Sequence, residues 1–203
     1  MKEFGWTDNL PQSYHGIILK CIQDILPLDG SPILDIGCGN GYVVNTLIKK
    51  GYNAYGIDAS YKGVEIANRS NNGRFYVNDI ASARLPEEIQ HIPFRTIIST
   101  EVIEHLYSPG TYVKLVRTIL ERNGGGTFII STPYHGYLKN LLIAVFNRFD
   151  YHFSALWEGG HIKFWSRATL TRLLHGEGFR KITFRGVGRF PYCWKHMVLR
   201  AII

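Results

Sequence analysis

Ile33-Leu34-Asp35-Ile36-Gly37-Cys38-Gly39-Asn40-Gly41 decides how this 203-residue chain is read. Ile33, Leu34 and Ile36 form a short apolar run, the mark of a parallel strand covered on both faces. Gly37, Gly39 and Gly41 allow a tight turn and a close ligand approach. Asn40 is placed to cap a helix. Val44, Leu47 and Ile48 then recur at helical spacing until Gly51. Strand, glycine turn and helix N-terminus together are where open α/β sheets bind nucleotide-like ligands.

The spacing of the glycines narrows the ligand. A dinucleotide fingerprint needs a glycine at position 42, where Tyr42 stands. A P-loop needs G-K-[ST], which is absent. The pattern is D-x-G-x-G-x-G from Asp35. It resembles motif I of the class I S-adenosylmethionine (SAM)-dependent methyltransferases.

Downstream residues fit this chemistry. Asn53–Asp58 reads as a second strand ending in an acid 21 residues past Gly37. A carboxylate there can accept both hydroxyls of a ribose, such as SAM carries; the alternative is a helix cap, for which Ser60 is better placed. A helix over 61–70 and a strand over 74–77 lead to Asn78-Asp79-Ile80. By the resemblance, Asp79 takes the adenine amino group and Ile80 the ring face; a turn residue is the alternative. Residues 81–93 read as a proline-containing connection. A fourth strand over 94–99 runs into Thr100-Glu101-Val102-Ile103-Glu104-His105-Leu106. That segment resembles the type 11 and ubiquinone-biosynthesis O-methyltransferases, which puts Glu101 near the amino-acid end of SAM and His105 near the acceptor. Glu101, Glu104 and His105 could also bring ligands to one divalent ion; a structural role for Glu104 and His105 is the preferred reading, and no metal is expected. The implied cofactor set is Asp35, Gly37, Cys38, Gly39, Asn40, Gly41, Asp58, Ala59, Asp79, Ile80, Thr100 and Glu101.

The flanking regions are read from periodicity. Tyr14, Ile17, Ile18, Cys21, Ile22 and Ile25 form one face of a helix over 11–26, preceded by Phe4 and Trp6, which either fold over the cofactor cleft or pack. His15 reads as a surface or capping histidine. Tyr112–Leu120 predicts a helix, ended by Asn123-Gly124-Gly125-Gly126, and 127–131 a fifth strand. Residues 133–165 are an insertion or cap over the acceptor site. In it Leu138, Leu141, Leu142, Val145, Phe146 and Phe149 share one helical face, with Lys139, Asn140, Asn147 and Arg148 opposite. Such a helix suits a hydrophobic substrate, a membrane surface, or packing in a core or dimer. Ser166 caps a further helix, and 179–187 with 192–202 form a final antiparallel hairpin.

Bulk properties set the class. Hydrophobic residues make up 45% and charged residues 19%, as in ordinary globular proteins. The first ten residues lack a signal-peptide core, and no run reaches the roughly 20 apolar residues of a membrane span. Cys21, Cys38 and Cys193 are isolated, as in a reduced cytoplasmic protein. Residues 1–138 carry 12 Lys/Arg and 13 Asp/Glu, whereas 139–203 carry 11 and 3. The basic C-terminal part either attracts phosphate, carboxylate, nucleic acid or an acidic membrane, or is a solvated surface.

The expected fold is one domain, 1–203, with 1–29 as an N-terminal helix region. It is an α/β, Rossmann-like, seven-stranded, mostly parallel sheet with helices on both faces and a C-terminal antiparallel hairpin. The resemblance implies methyl transfer from SAM to a small-molecule acceptor, anionic or hydrophobic: a hydroxyl of a phenolic, quinone-like, lipid or sugar compound. Proton removal falls to a histidine, with His161 the first choice ahead of His105 and His135. Two other readings stay open: an RNA- or protein-directed methyltransferase, and a SAM-binding partner protein without catalysis.

Overall fold

The computed structural model describes residues 5–80, 84–153 and 155–203. Phe4, and residues 81–83 of the expected connection, lie outside the described residues. Seven strands form one sheet in the order β3-β2-β1-β4-β5-β7-β6. These are β1 (Ile33–Ile36), β2 (Ala54–Asp58), β3 (Phe75–Val77), β4 (Thr96–Thr100), β5 (Thr127–Pro133), β6 (Arg180–Val187) and β7 (His196–Ile202). The first five are parallel, while β7 runs antiparallel to both β5 and β6. The chain moves outward from β1 in one direction through β2 and in the other through β4. That reversal opens a crevice at the carboxyl ends of these strands.

Alternation along the strands supplies both faces of the sheet. Ile97, Phe128 and Ile130 join Tyr112, Val116, Leu170 and Phe179 on one side. Ile98 and Ile129 join Ile18, Ile22, Val44 and Val64 on the other. The helices packed there are α1 (His15–Gln23), α2 (Tyr42–Lys49), α3 (Tyr61–Asn68), α4 (Pro109–Arg122) and α7 (Arg167–Gly176). Complete burial of a side chain such as Phe94 or Phe128 contributes roughly 1.5–3 kcal/mol each. Ser60 caps α3 by accepting from the Gly63 N–H, and Ser166 with Thr169 forms a capping box on α7.

Three local expectations change. Helix α1 begins at His15, not residue 11, because the His15 ring folds back to accept from the Gln12 N–H at 3.0 Å. His15 is accordingly buried, stacked on Tyr42, and Ile17 is the exposed residue. The N-cap of α2 is Gly41, in the left-handed region, and not Asn40. The single helix expected over 138–149 is two: α5 (Tyr137–Val145) and α6 (Phe149–Phe153). Asn147 breaks it with φ 49°, as Asn147 N–H donates to Ala144 and Arg148 N–H to Ile143, the paired bonds of a left-handed helix stop.

The apolar stripe of α5 faces largely outward, and of the polar residues expected opposite it only Lys139 is buried. Leu138, Leu141, Val145 and Phe146 are exposed, the last two at 67%, whereas Lys139 is only 4% exposed. Lys139 is drawn inward because its ammonium donates to the Tyr134 carbonyl at 2.7 Å. No helix among the described residues is long and apolar enough to cross a membrane.

Candidate active site

The glycine turn between β1 and α2 forms the first wall of the crevice. Gly37 adopts φ 85° and packs on Val102, so a Cβ there would collide with that side chain. Asp58, at the end of β2, reaches across to the turn: Oδ2 accepts from Gly39 N–H at 2.8 Å and Oδ1 from Ser60 N–H at 2.8 Å. Ser60, and not Asp58, caps the following helix. Trp6 lies over Gly39 and Gly63. Asn40 secures this N-terminal segment by donating to the carbonyls of Asp8 and Leu10, at 2.9 and 3.0 Å. Trp6, ahead of the first helix, therefore packs over the glycine turn.

Asp35 is completely buried on β1, and neither carboxyl oxygen has a described hydrogen-bond partner. Burial, with a smaller push from Asp58, raises its pKa to about 8. The same burial, with Asp58 and Asp35, pushes the Cys38 thiol far up, which leaves it unreactive. Asp79 and Ile80 follow β3, the acid exposed and the isoleucine packed on the core edge. Ala59 is half-buried beside Asp58, and Thr100 is buried at the end of β4. All twelve residues of the expected cofactor set thus line up along the ends of β1, β2, β3 and β4. The turn, the orphaned Asp35 carboxyl and Asp58 fit a ligand with a ribose and several hydrogen-bonding groups.

Glu101 takes a conformation rare for a residue with a side chain, φ 55°, at a cost of roughly 1–2 kcal/mol. Two bonds compensate. Ser131 Oγ donates to Glu101 Oε1 at 2.8 Å, and His196 Nδ1 lies 2.8 Å from Oε2. Both the Glu101 and His196 side chains are nearly buried. His196 was missed by the sequence reading. Its signal was present: an antiparallel final strand must start at the edge where the parallel strands end, and His196 is its first residue, paired with Pro133.

The cap closes on the short helical turn Ile103–His105. The Glu104 carbonyl accepts from the Ile162 and Lys163 N–H groups. Its carboxyl accepts from Thr132 Oγ1 at 2.9 Å, and burial together with Glu101 pushes it well above the ordinary range. His105 Nδ1 donates to the Gly159 carbonyl at 2.9 Å. The His161 ring stands edge-on to His105 at 4.9 Å and to Trp157 at 5.6 Å. Burial, with the neighbouring His105, lowers the His161 pKa to about 4. One ligand atom each from Glu104, His105 and His161 lies within 4.8 Å of the others, so these three could hold a divalent ion. Glu101, which the spacing grouped with Glu104 and His105, turns instead to Ser131 and His196. His135 is not part of this group. It sits under α5 and α6 among His152, Phe153 and Phe164.

Residues 12–183 match the family described as a methyltransferase domain. The chain is 27% identical over 177 residues to the ubiquinone biosynthesis O-methyltransferase of Ralstonia nicotianae, over 85% of this chain and 73% of the relative. It is 28% identical over 182 residues to the enzyme of that name from Coxiella burnetii, over 85% and 74%. Among solved structures, the magnesium protoporphyrin IX methyltransferase of Synechocystis with bound S-adenosylhomocysteine (SAH) is similar with a TM-score of 0.64 and 19% identity, over 91% of this chain and 80% of that one. A Haloferax volcanii methyltransferase in complex with the Trm112 activator gives 0.67 and 16%, over 90% and 86%. At these identities the solved structures establish the fold, and the family match over most of the chain establishes the rest. The chain belongs to the class I SAM-dependent methyltransferases, and SAM is its methyl donor.

Proposed function

We propose that the enzyme methylates a hydroxyl oxygen of a small-molecule acceptor held beneath the cap of residues 133–165. The observation that carries this reading is the Glu101–His196 pair, a carboxylate-oriented imidazole at the shared end of β4, β5 and β7. The aromatic lining of the cap and the small-molecule names of the curated relatives support it.

Bound SAM supplies a methyl group on a positively charged sulfur, already activated for transfer. The chain's own residues then have three tasks: alignment, exclusion of water and removal of a proton. In this reading Asp58 holds the ribose hydroxyls, Asp79 and Ile80 the adenine, and the glycine turn the rest of the nucleoside. Trp6 covers one side of the crevice, and the Gly159–His161 loop covers the other. Because His196 Nδ1 bonds to Glu101, its Nε2 is the nitrogen that takes the hydroxyl proton. A base near neutrality works best. His161, whose pKa burial lowers to about 4, does not hold a proton near neutrality and serves as a wall of the acceptor site with His105.

A screen of phenols, catechols and hydroxylated lipids with labelled SAM tests the reading. At least one hydroxyl compound should accept the label. With that acceptor, His196→Ala should lower kcat about 100-fold while SAH affinity stays within about threefold. Label on no hydroxyl compound overturns the acceptor class, and an unchanged kcat in His196→Ala overturns the base.

A further inference from the structure

The cap buries positive charge with no acid to match it. Lys139 is 4% exposed and takes part in no ion pair among the described residues. Its ammonium has three donors, of which the Tyr134 carbonyl engages one. His135 is 7% exposed, and its Nδ1 is buried without a described hydrogen-bond partner. The His152 ring lies 5.6 Å from it, and Phe153 and Phe164 wall the two imidazoles at 4.9–5.7 Å. Helix α5 begins just above, at Gly136, with no side-chain cap on its N–H groups.

Uncompensated burial of a cation costs several kcal/mol, and fixed structures tolerate it where a ligand supplies the counter-charge. Glu101 is the acid that Lys139 feels, but its two oxygens are already engaged by Ser131 and His196. We infer that Lys139, His135 and His152 form an oxyanion site, and that the acceptor carries a carboxylate or phosphate which docks there. This inference rests on the small-molecule reading above.

The electrostatics agree. Burial and then Arg189 lower the Lys139 pKa to about 8. Burial, Lys139 and His152 lower that of His135 to about 4, a side-chain hydrogen bond with Asn140 opposing and His161 adding slightly. Burial, Lys139 and Arg189 push His152 down as well. Lys139 raises the cost of charging both imidazoles, and an oxyanion among them offsets that repulsion. Phenylalanine rings on either side suit an acceptor with an aromatic or apolar body behind its charge.

Calorimetry on the SAH-loaded enzyme tests the site with benzoate, phenyl phosphate and phenol, which share a ring and differ in charge. One of the two anions should bind about tenfold more tightly than phenol, and which one identifies the oxyanion. Lys139→Gln should remove that advantage without loss of SAH affinity. In the unaltered enzyme, NMR titration of the imidazole protons should show His135 and His152 protonating at higher pH once the anion is bound. That measurement decides the matter if Lys139→Gln does not fold. Anions that bind no better than phenol, an advantage that survives Lys139→Gln, or histidine titrations unmoved by the anion would each overturn the site. Failure of the anions with SAH still bound sinks this inference alone, whereas label transfer to no hydroxyl compound sinks the reading beneath it.

Discussion

The glycine turn and the cap sit on opposite sides of one crevice and are built on opposite rules. At the turn, polar groups are engaged by nearby backbone: Asp58 by Gly39 and Ser60, and Asn40 by Asp8 and Leu10. In the cap, Lys139 and His135 are buried while Val145 and Phe146 face outward. Backbone geometry can serve one fixed ligand, because glycine dihedrals and main-chain donors leave little to vary. A cap of side chains can be changed residue by residue. Asp35 is the exception at the turn, a buried acid with no described hydrogen-bond partner.

Three changes test this contrast, from the largest effect to the smallest. Asp58→Ala removes both the acceptor for Gly39 and the proposed ribose ligand. SAH affinity by calorimetry should fall about 100-fold, the scale of two bonds to a charged group; a fall under about threefold would mean that Asp58 only ties the turn together. Asp35→Asn addresses the one orphaned acid at the turn. Its carboxyl titrates near 3.8 unfolded and about 8 folded, so between these values the native chain keeps a proton that the unfolded chain has lost. Stability contributed at this position therefore falls as pH rises through that window, and asparagine has no such dependence. The variant's melting temperature, measured relative to the parent without ligand, should climb by roughly 4 °C or more between pH 5 and pH 8. A flat difference would show that Asp35 is ionised in the fold. Phe146→Ser, on the exposed face of α5, should shift stability by less than about 0.5 kcal/mol in denaturant melts. A loss of about 2 kcal/mol or more would show that this face is covered in solution.

Much of the architecture was legible from local pattern. The apolar run at Ile33–Ile36, the spaced glycines and the acid at the end of each early strand are short-range signals, and each falls where expected. Serine caps at Ser60 and Ser166 were readable for the same reason. Asn40 was read as a cap because its side-chain chemistry suits one; its Oδ1 does accept from the Tyr42 N–H at 3.3 Å, though Gly41 holds the N-cap position, and its amide nitrogen spans 30 or more residues to the N-terminal segment. The amphipathic pattern of α5 was legible, but the burial of Lys139 within its polar side was not. Periodicity locates a stripe without saying what lies opposite it. In this enzyme the Tyr134 carbonyl, five residues before Lys139, draws that one polar side chain in.

By itself the sequence determined the strand–turn–helix half of the fold, in which the cofactor motif lies. Its motifs act through backbone conformation and through residues close to one another along the chain, so order and spacing carry them. Only the tertiary structure decided the acceptor half. Glu101 meets His196 across 95 residues because β7 reverses direction beside β5. His161 meets His105 because the cap bonds back to Glu104. Lys139 is buried because the cap folds over it. Charge pairing and desolvation depend on distance in space, and no spacing along the chain encodes which distant group will be near.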